Sequence, residues 1–146
     1  MAQVRDIEYR AKTVYDGKWV YGFPMHYTNP HYEKWTIREP SGLEHDVCEE
    51  TLWQYIGRKD AKGTKMYEGD VFTVNGRYPK LIKYLDTSHC FAVANLDALT
   101  DPCSSRWPDE CNYQQPALDW WNDFKHELLV VDNVHDNPDL IKVKEQ

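Results

Sequence analysis

Tight turns punctuate this chain, and they constrain its fold more than any other feature. Asp16-Gly17 lies between Tyr15 and Lys18, and Asn75-Gly76 follows the apolar run Val71–Val74. Both dipeptides fit primed two-residue hairpin turns, whose central residues need positive φ. Between them, Gln54–Asp70 carries Gly57, Gly63 and Gly69. Asp60-Ala61-Lys62-Gly63 has Asp and Gly at the outer positions of a type I turn, and Glu68-Gly69-Asp70 makes a second bend. A chain turned back this often reads as antiparallel β structure, and Gln54–Asp70 reads as scaffold.

The stretches between the turns alternate as strands do. Ile7, Tyr9 and Ala11 fall opposite Asp6, Glu8, Arg10 and Lys12, a period that predicts a half-buried strand. With a two-residue turn at Asp16-Gly17, Val14 is expected to face Trp19. Pro24–Pro30 reads as a loop on its Asn29-Pro30 punctuation. Tyr32–Glu39 reads as a strand with Trp35 and Ile37 on one face and Lys34, Thr36 and Arg38 on the other, ended by Pro40-Ser41-Gly42. Val47–Ile56 fits either a helical turn from Glu49 or a strand over Leu52–Ile56. Val71–Val74, Lys80–Leu85 and Cys90–Leu96 form a meander that could curl into a small SH3-like barrel. Residues 97–117 lose all periodicity among Pro102, Pro108 and Pro116 and read as a long loop, a feature usually tied to function. Leu118–Lys125 reads as a helix and Leu128–Val134 as a strand. Asn137-Pro138 then reads as the start of a short C-terminal helix with Asn137 as N-cap.

Length and composition set outer bounds. At 146 residues the chain fits one domain spanning 1–146, with an N-terminal β part (1–56) and a β-meander part (57–146). That length buries enough surface to fold without a staple. The 6 Trp and 10 Tyr suit pleated, half-buried surfaces and interfaces. A net charge of −7 weighs against holding a nucleic-acid backbone. The opening Met-Ala-Gln-Val-Arg-Asp has no basic start followed by an apolar core, so a cytoplasmic protein with reduced thiols is expected.

Chemistry-bearing residues are scattered. His45 with Cys48, His89 with Cys90, and Cys103 with Cys111 depart from the close Cys pairs of structural zinc, so no metal is expected. Cys48 and Cys90 read as small core hydrophobes, the other two as loop residues. Glu44, Asp46, Glu49 and Glu50, then Asp109 and Glu110, then Asp119 and Asp123, offer acid/base pairs for a hydrolase. Among 24 acidic residues such clusters arise by composition alone, and a solvated face is the plainer reading. Gly57, Gly63 and Gly69 lack the setting of a phosphate loop. Trp53, Trp107, Trp120 and Trp121 could make a platform for a sugar or an unstacked base. The preferred reading is core plus subunit interface, with Trp107, Trp120 and Trp121 as interface candidates. No catalytic, cofactor-binding or metal residue is assigned.

Three stretches resemble one family. Arg5-Asp6-Ile7-Glu8-Tyr9-Arg10-Ala11, followed by Trp19-Val20-Tyr21-Gly22, resembles the opening of YopX-like proteins. Thr51–Gly63, with Gln54, Tyr55, Gly57, Asp60 and Gly63, resembles their central motif, and Met66-Tyr67-Glu68-Gly69-Asp70-Val71 continues it. Val130–Ile141, with Asn133, Asn137 and Pro138, resembles the closing segment. The likeness breaks over 24–47 and 97–117. Ile56 and Asp132 depart from the family pattern, which has Thr and Gly there. The resemblance implies a phage- or prophage-encoded, mainly β protein that self-associates. It implies no activity, so no catalytic residue is carried over.

The expectation is therefore a mainly β fold with minor α content, built from antiparallel hairpins and a meander. Its function is expected to be non-enzymatic binding, as a homo-oligomer or with a phage or host protein, without cofactor, in a bacterial cytoplasm. The alternatives are a nucleic-acid-binding small β-barrel, opposed by the acidic balance, and a hydrolase using the acidic clusters.

Overall fold

The structure is a computed structural model and describes residues 6–103, 112–116 and 118–143. The chain forms two compact units, residues 1–57 and 58–146.

The first unit is an antiparallel sheet of β1 (Tyr9–Lys12), β2 (Trp19–Asn29), β3 (Tyr32–Arg38), β4 (Glu44–Val47) and β5 (Trp53–Lys59), in the order β4-β3-β2-β1-β5. The first turn differs from expectation. Lys12 pairs with Trp19 and Thr13 N–H donates to Lys18 O at 3.0 Å, so the connection is the longer loop Val14–Gly17. The Asp16 carboxylate accepts from the Thr13 hydroxyl and from Lys18 N–H, which closes that loop. Val14 N–H donates to Asp46 O at 3.0 Å instead, so the Val14–Trp19 pair does not form.

Pro24–Pro30 is also not a loop: β2 runs on to Asn29 and pairs with β3 from Phe23 onward. Pro24 lies just past Gly22, the last residue of β2 paired with β1, where a strand bonded on one side tolerates a missing N–H. The true reversal is Pro30-His31, with Asn29 Oδ1 accepting His31 N–H at 2.8 Å and Tyr32 N–H at 3.1 Å. Trp35 and Ile37 share a face as expected, and Ile37 packs with Ala11, Val20 and Val47 as the core. The Val47–Ile56 stretch contains both expected forms, a 3-10 turn at Glu49–Thr51 followed by β5.

The sheet curls sharply at Gly22. A Cβ there would lie 2.2 Å from Arg38 O, so only glycine lets β3 come this close. The curl brings Thr13 into an isolated bridge with Val47.

The second unit holds β6 (Lys65–Tyr67), which follows β5 in strand order, and a separate sheet. That sheet comprises β7 (Asp70–Val74), β8 (Arg77–Leu85), β9 (Cys90–Asn95) and β10 (Leu128–Asn133), ordered β10-β7-β8-β9. Asn75 and Gly76, with φ of 52° and 74°, make the expected primed turn between β7 and β8. The meander does not become an SH3-like barrel. Its two edges are separated and each is occupied by a loop: Ala61 N–H donates to Leu128 O at 2.8 Å, and Val93 exchanges bonds of 2.8 and 2.9 Å with Gln114. Edges already satisfied in this way have no reason to join.

One face of this sheet carries the core cluster Val71, Leu81, Leu85, Ala92, Ala94 and Tyr113. Phe72 is fully buried; on transfer grounds such a side chain contributes about 1.5–3 kcal/mol. The described parts of the 97–117 stretch carry structure beyond the expected loop: it starts within helix α1 (Leu96–Thr100), and Gln114 pairs with β9. Helix α2 (Leu118–Phe124) stands where the periodicity placed it. The C-terminal element is a 3-10 turn, Pro138–Ile141, and the Asn137 side chain does not cap it. Its amide donates to Asp132 Oδ2 at 3.2 Å instead. Among the described residues no helix is long and apolar enough to cross a membrane.

Candidate functional site

The central motif is built for the backbone. Asp60 is 7% exposed and accepts three amides: Lys62 and Thr64 N–H on Oδ1, each at 2.9 Å, and Val130 N–H on Oδ2 at 3.0 Å. Asp70 Oδ2 accepts Tyr67 N–H at 2.8 Å. Gly69 has φ of 86°, donates to Ile82 O at 2.8 Å and accepts Val134 N–H at 3.1 Å. Glu68 Oε2 faces Tyr84 N–H at 3.4 Å. Gly57 and Gly63 also have positive φ, of 90° and 83°.

The outer motifs act similarly. Gln54 Oε1 accepts the Tyr9 hydroxyl at 3.3 Å, and Tyr55 and Tyr67 are buried. Asn133 Oδ1 accepts His135 N–H at 3.1 Å and Asp136 N–H at 2.9 Å, a turn held by its own side chain. Asp132 follows a bulge in β10. Among the described non-glycine residues only Asn75, Tyr78 and His89 have positive φ, so the backbone at Asp132 requires no glycine. Arg5 lies outside the described residues.

Among the described residues, two surfaces are candidates for function. The first is the outer face of the first unit. Register puts Trp19, Tyr21, Phe23, Met25 and Tyr27 of β2 on that face, beside Lys12 and Arg10 of β1 and Arg38, Thr36 and Lys34 of β3, with Arg10 and Thr36 buried among them. Tyr21 and Phe23 are 42% and 55% exposed. Arg10 and Lys12 lie over the Trp19 ring at 4.5 and 5.3 Å, and Lys34 over Tyr27 at 5.5 Å, a cation–π arrangement. Both charge signs are present: Glu44 lies 3.7 Å from Arg38, and Asp46 lies 3.4 Å from Lys34. Tyr27 donates its hydroxyl to Glu44 at 2.8 Å, which raises the phenol above its ordinary range.

The second place surrounds the tryptophans of α2. Trp121 turns inward, 6.2 Å from Phe72, with the Arg58 guanidinium 5.1 Å from its ring. Trp120 meets Trp121 edge-on at 5.2 Å and lines a cavity of about 350 Å3 with Lys80, Val93, Asn95, Asn112, Gln114, Gln115 and Pro116. Trp107 lies outside the described residues. Sequence reading singled out Trp120 but missed Lys80 and the amides, which come from three separate segments and share no motif.

Other candidates disperse. Cys48 and Cys90 are half-buried and Cys103 is exposed, so neither of the first two is a core residue; Cys111 lies outside the described residues. Both cysteines sit beside turns, where the sheet is not covered on all sides. Among the described residues no three His, Cys, Asp or Glu converge as metal ligands would. Glu44 and Asp46 are engaged on the sheet face, and Asp119 Oδ1 accepts Trp120 N–H at 2.9 Å. Asp109 and Glu110 lie outside the described residues.

The crystal structure of protein EF1440 from Enterococcus faecalis is similar in fold, with a TM-score of 0.52 and 16% identity over 95% of this chain and 100% of that one. No curated protein matches the chain. The family described as YopX protein matches residues 8–142, nearly the whole sequence, including the central and closing motifs and the opening one from Glu8. The chain belongs to the YopX protein family.

Proposed function

We propose that this chain is a non-enzymatic binding protein that works as a homo-oligomer, encoded by a phage or prophage and acting in the cytoplasm of the bacterial host. The observation that carries the reading is the outer face of the first unit, where Tyr21 and Phe23 stand exposed among Arg38, Lys34, Glu44 and Asp46. An apolar centre ringed by both charge signs complements a second copy of itself across a two-fold axis. The sheet edges favour a face-to-face contact over strand addition, because Asp60, Ala61 and Gln114 already occupy the edges of the second sheet. The phage origin rests on the family resemblance.

Size-exclusion chromatography with light scattering tests the assembly. The wild-type chain is expected above monomer mass at micromolar concentration, and Phe23→Asp is expected to run as a monomer with an unchanged circular-dichroism spectrum. A wild-type chain that is a clean monomer overturns the reading.

A further inference from the structure

Lys80 is placed unlike the other lysines of the second unit. It projects from β8 beside Asn95, whose Oδ1 accepts its ammonium at 2.6 Å. Asn95 occupies the N-cap position of α1, where such a side chain ordinarily bonds the helix's own amides. Here that bond is absent, and the amide oxygen serves Lys80 instead. Among the described residues no carboxylate pairs with Lys80. Partial burial lowers the lysine from its ordinary range, the direction expected for a half-buried cation.

The cavity around that cation has two further properties. Its wall is Trp120, met edge-on by Trp121 at 5.2 Å and at a tilt by Phe124 at 5.4 Å, with Lys80 Nζ 6.0 Å from its ring centroid. Gln114 and Gln115 line its rim, and the Gln114 backbone exchanges two bonds with Val93. Amide side chains donate and accept at once, so they match the mixed edges of a nucleobase, while an aromatic face accepts its ring. At about 350 Å3 the space suits one small ligand and falls in the usual range of roughly 300–1,000 Å3.

We propose that this cavity is a binding site for a single nucleotide, its base against Trp120 and the glutamines and its phosphate on Lys80. A neutral sugar would use the ring and amides but would leave the cation without an anion. A polynucleotide would meet a chain of net charge −7 with a single lysine at the site, which is too little to hold its backbone. The site lies wholly within the second unit and is independent of the assembly proposed for the first.

The test is calorimetric titration of the full chain with a nucleoside monophosphate, the matching nucleoside, inorganic phosphate and a single-stranded oligonucleotide, using each of the four common bases. The monophosphate of at least one base is expected to bind about tenfold or more tightly than its nucleoside and than phosphate. Lys80→Gln is expected to remove that advantage, and Trp120→Ala is expected to weaken the nucleoside and the monophosphate alike. The Trp120 indole and Gln114 amide signals should shift on titration in the NMR spectrum, which places the ligand without relying on any variant. The proposal is overturned by no binding of any monophosphate, by equal affinity for nucleoside and monophosphate, by an unchanged Lys80→Gln variant, or by tighter binding of the oligonucleotide.

Discussion

Asp60 and Val130, seventy positions apart, are joined side chain to backbone: Asp60 Oδ2 accepts Val130 N–H at 3.0 Å. The same carboxylate holds the Lys62 and Thr64 amides on its other oxygen, so one buried side chain both shapes a turn and lays that turn along the open edge of β10. A strand edge left open would be a template for another chain. The turn at the heart of the central motif is thus also an edge guard.

Asp60→Ala leaves three amides without their acceptor and is expected to cost about 3 kcal/mol of unfolding free energy, since each lost bond to a charged acceptor is large. Chemical denaturation measures the cost. Hydrogen exchange should show the Val130 amide losing protection more than Phe72 on the neighbouring strand. An Asp60→Ala variant as stable as the parent would dismiss the edge-guard reading.

The glycines should divide by surroundings. Gly22→Ala drives a methyl against the Arg38 carbonyl, a backbone atom that cannot swing away, so about 3 kcal/mol or more is expected. Gly57→Ala meets open space and carries only the strain of φ near 90°, about 1–2 kcal/mol. Thermal unfolding of the two variants side by side checks the ranking, and an equal loss would contradict it.

Adjacent tryptophans should behave differently. Trp121→Ala removes a ring packed on the fully buried Phe72 and is expected to cost about 3 kcal/mol or more. Trp120→Ala, at the cavity wall, should cost clearly less. Denaturation midpoints at constant m-value decide it; the reverse order would place the wrong ring inward.

Asp16 gives a pH signature. The Thr13 hydroxyl, and then Lys18 N–H, hold its carboxyl below the ordinary 3.8. A carboxylate with a depressed folded value supports the fold above its unfolded value and loses that support as pH falls through the folded one. Thr13→Val should therefore raise the Asp16 titration midpoint, read by carbon NMR of the carboxyl, and leave the neutral-pH spectrum unchanged. An unshifted midpoint would show that the hydroxyl bond does not set it.

Much of the fold was legible because its signals are local. Asn75-Gly76 dictates its own turn through positive φ at two residues, and the period over Trp35 and Ile37 puts them on one face of β3. The errors arose where distant backbone decided. Asp16-Gly17 carries the same turn signal, yet Val14 bonds Asp46 and the loop lengthens. Pro24 looked like a stop, yet its missing N–H lies where β1 has ended.

The sequence alone determined that this chain is a turn-rich, mainly β member of its family, because hairpin chemistry and strand periodicity act within a few residues. Tertiary structure alone decided that Asp60 guards a strand edge, that the two edges of the meander's sheet stay apart, and that Lys80 meets Trp120 and the amides around one cavity. Those relations join segments far apart in the chain, and a contact made by folding leaves no spacing for a sequence to display.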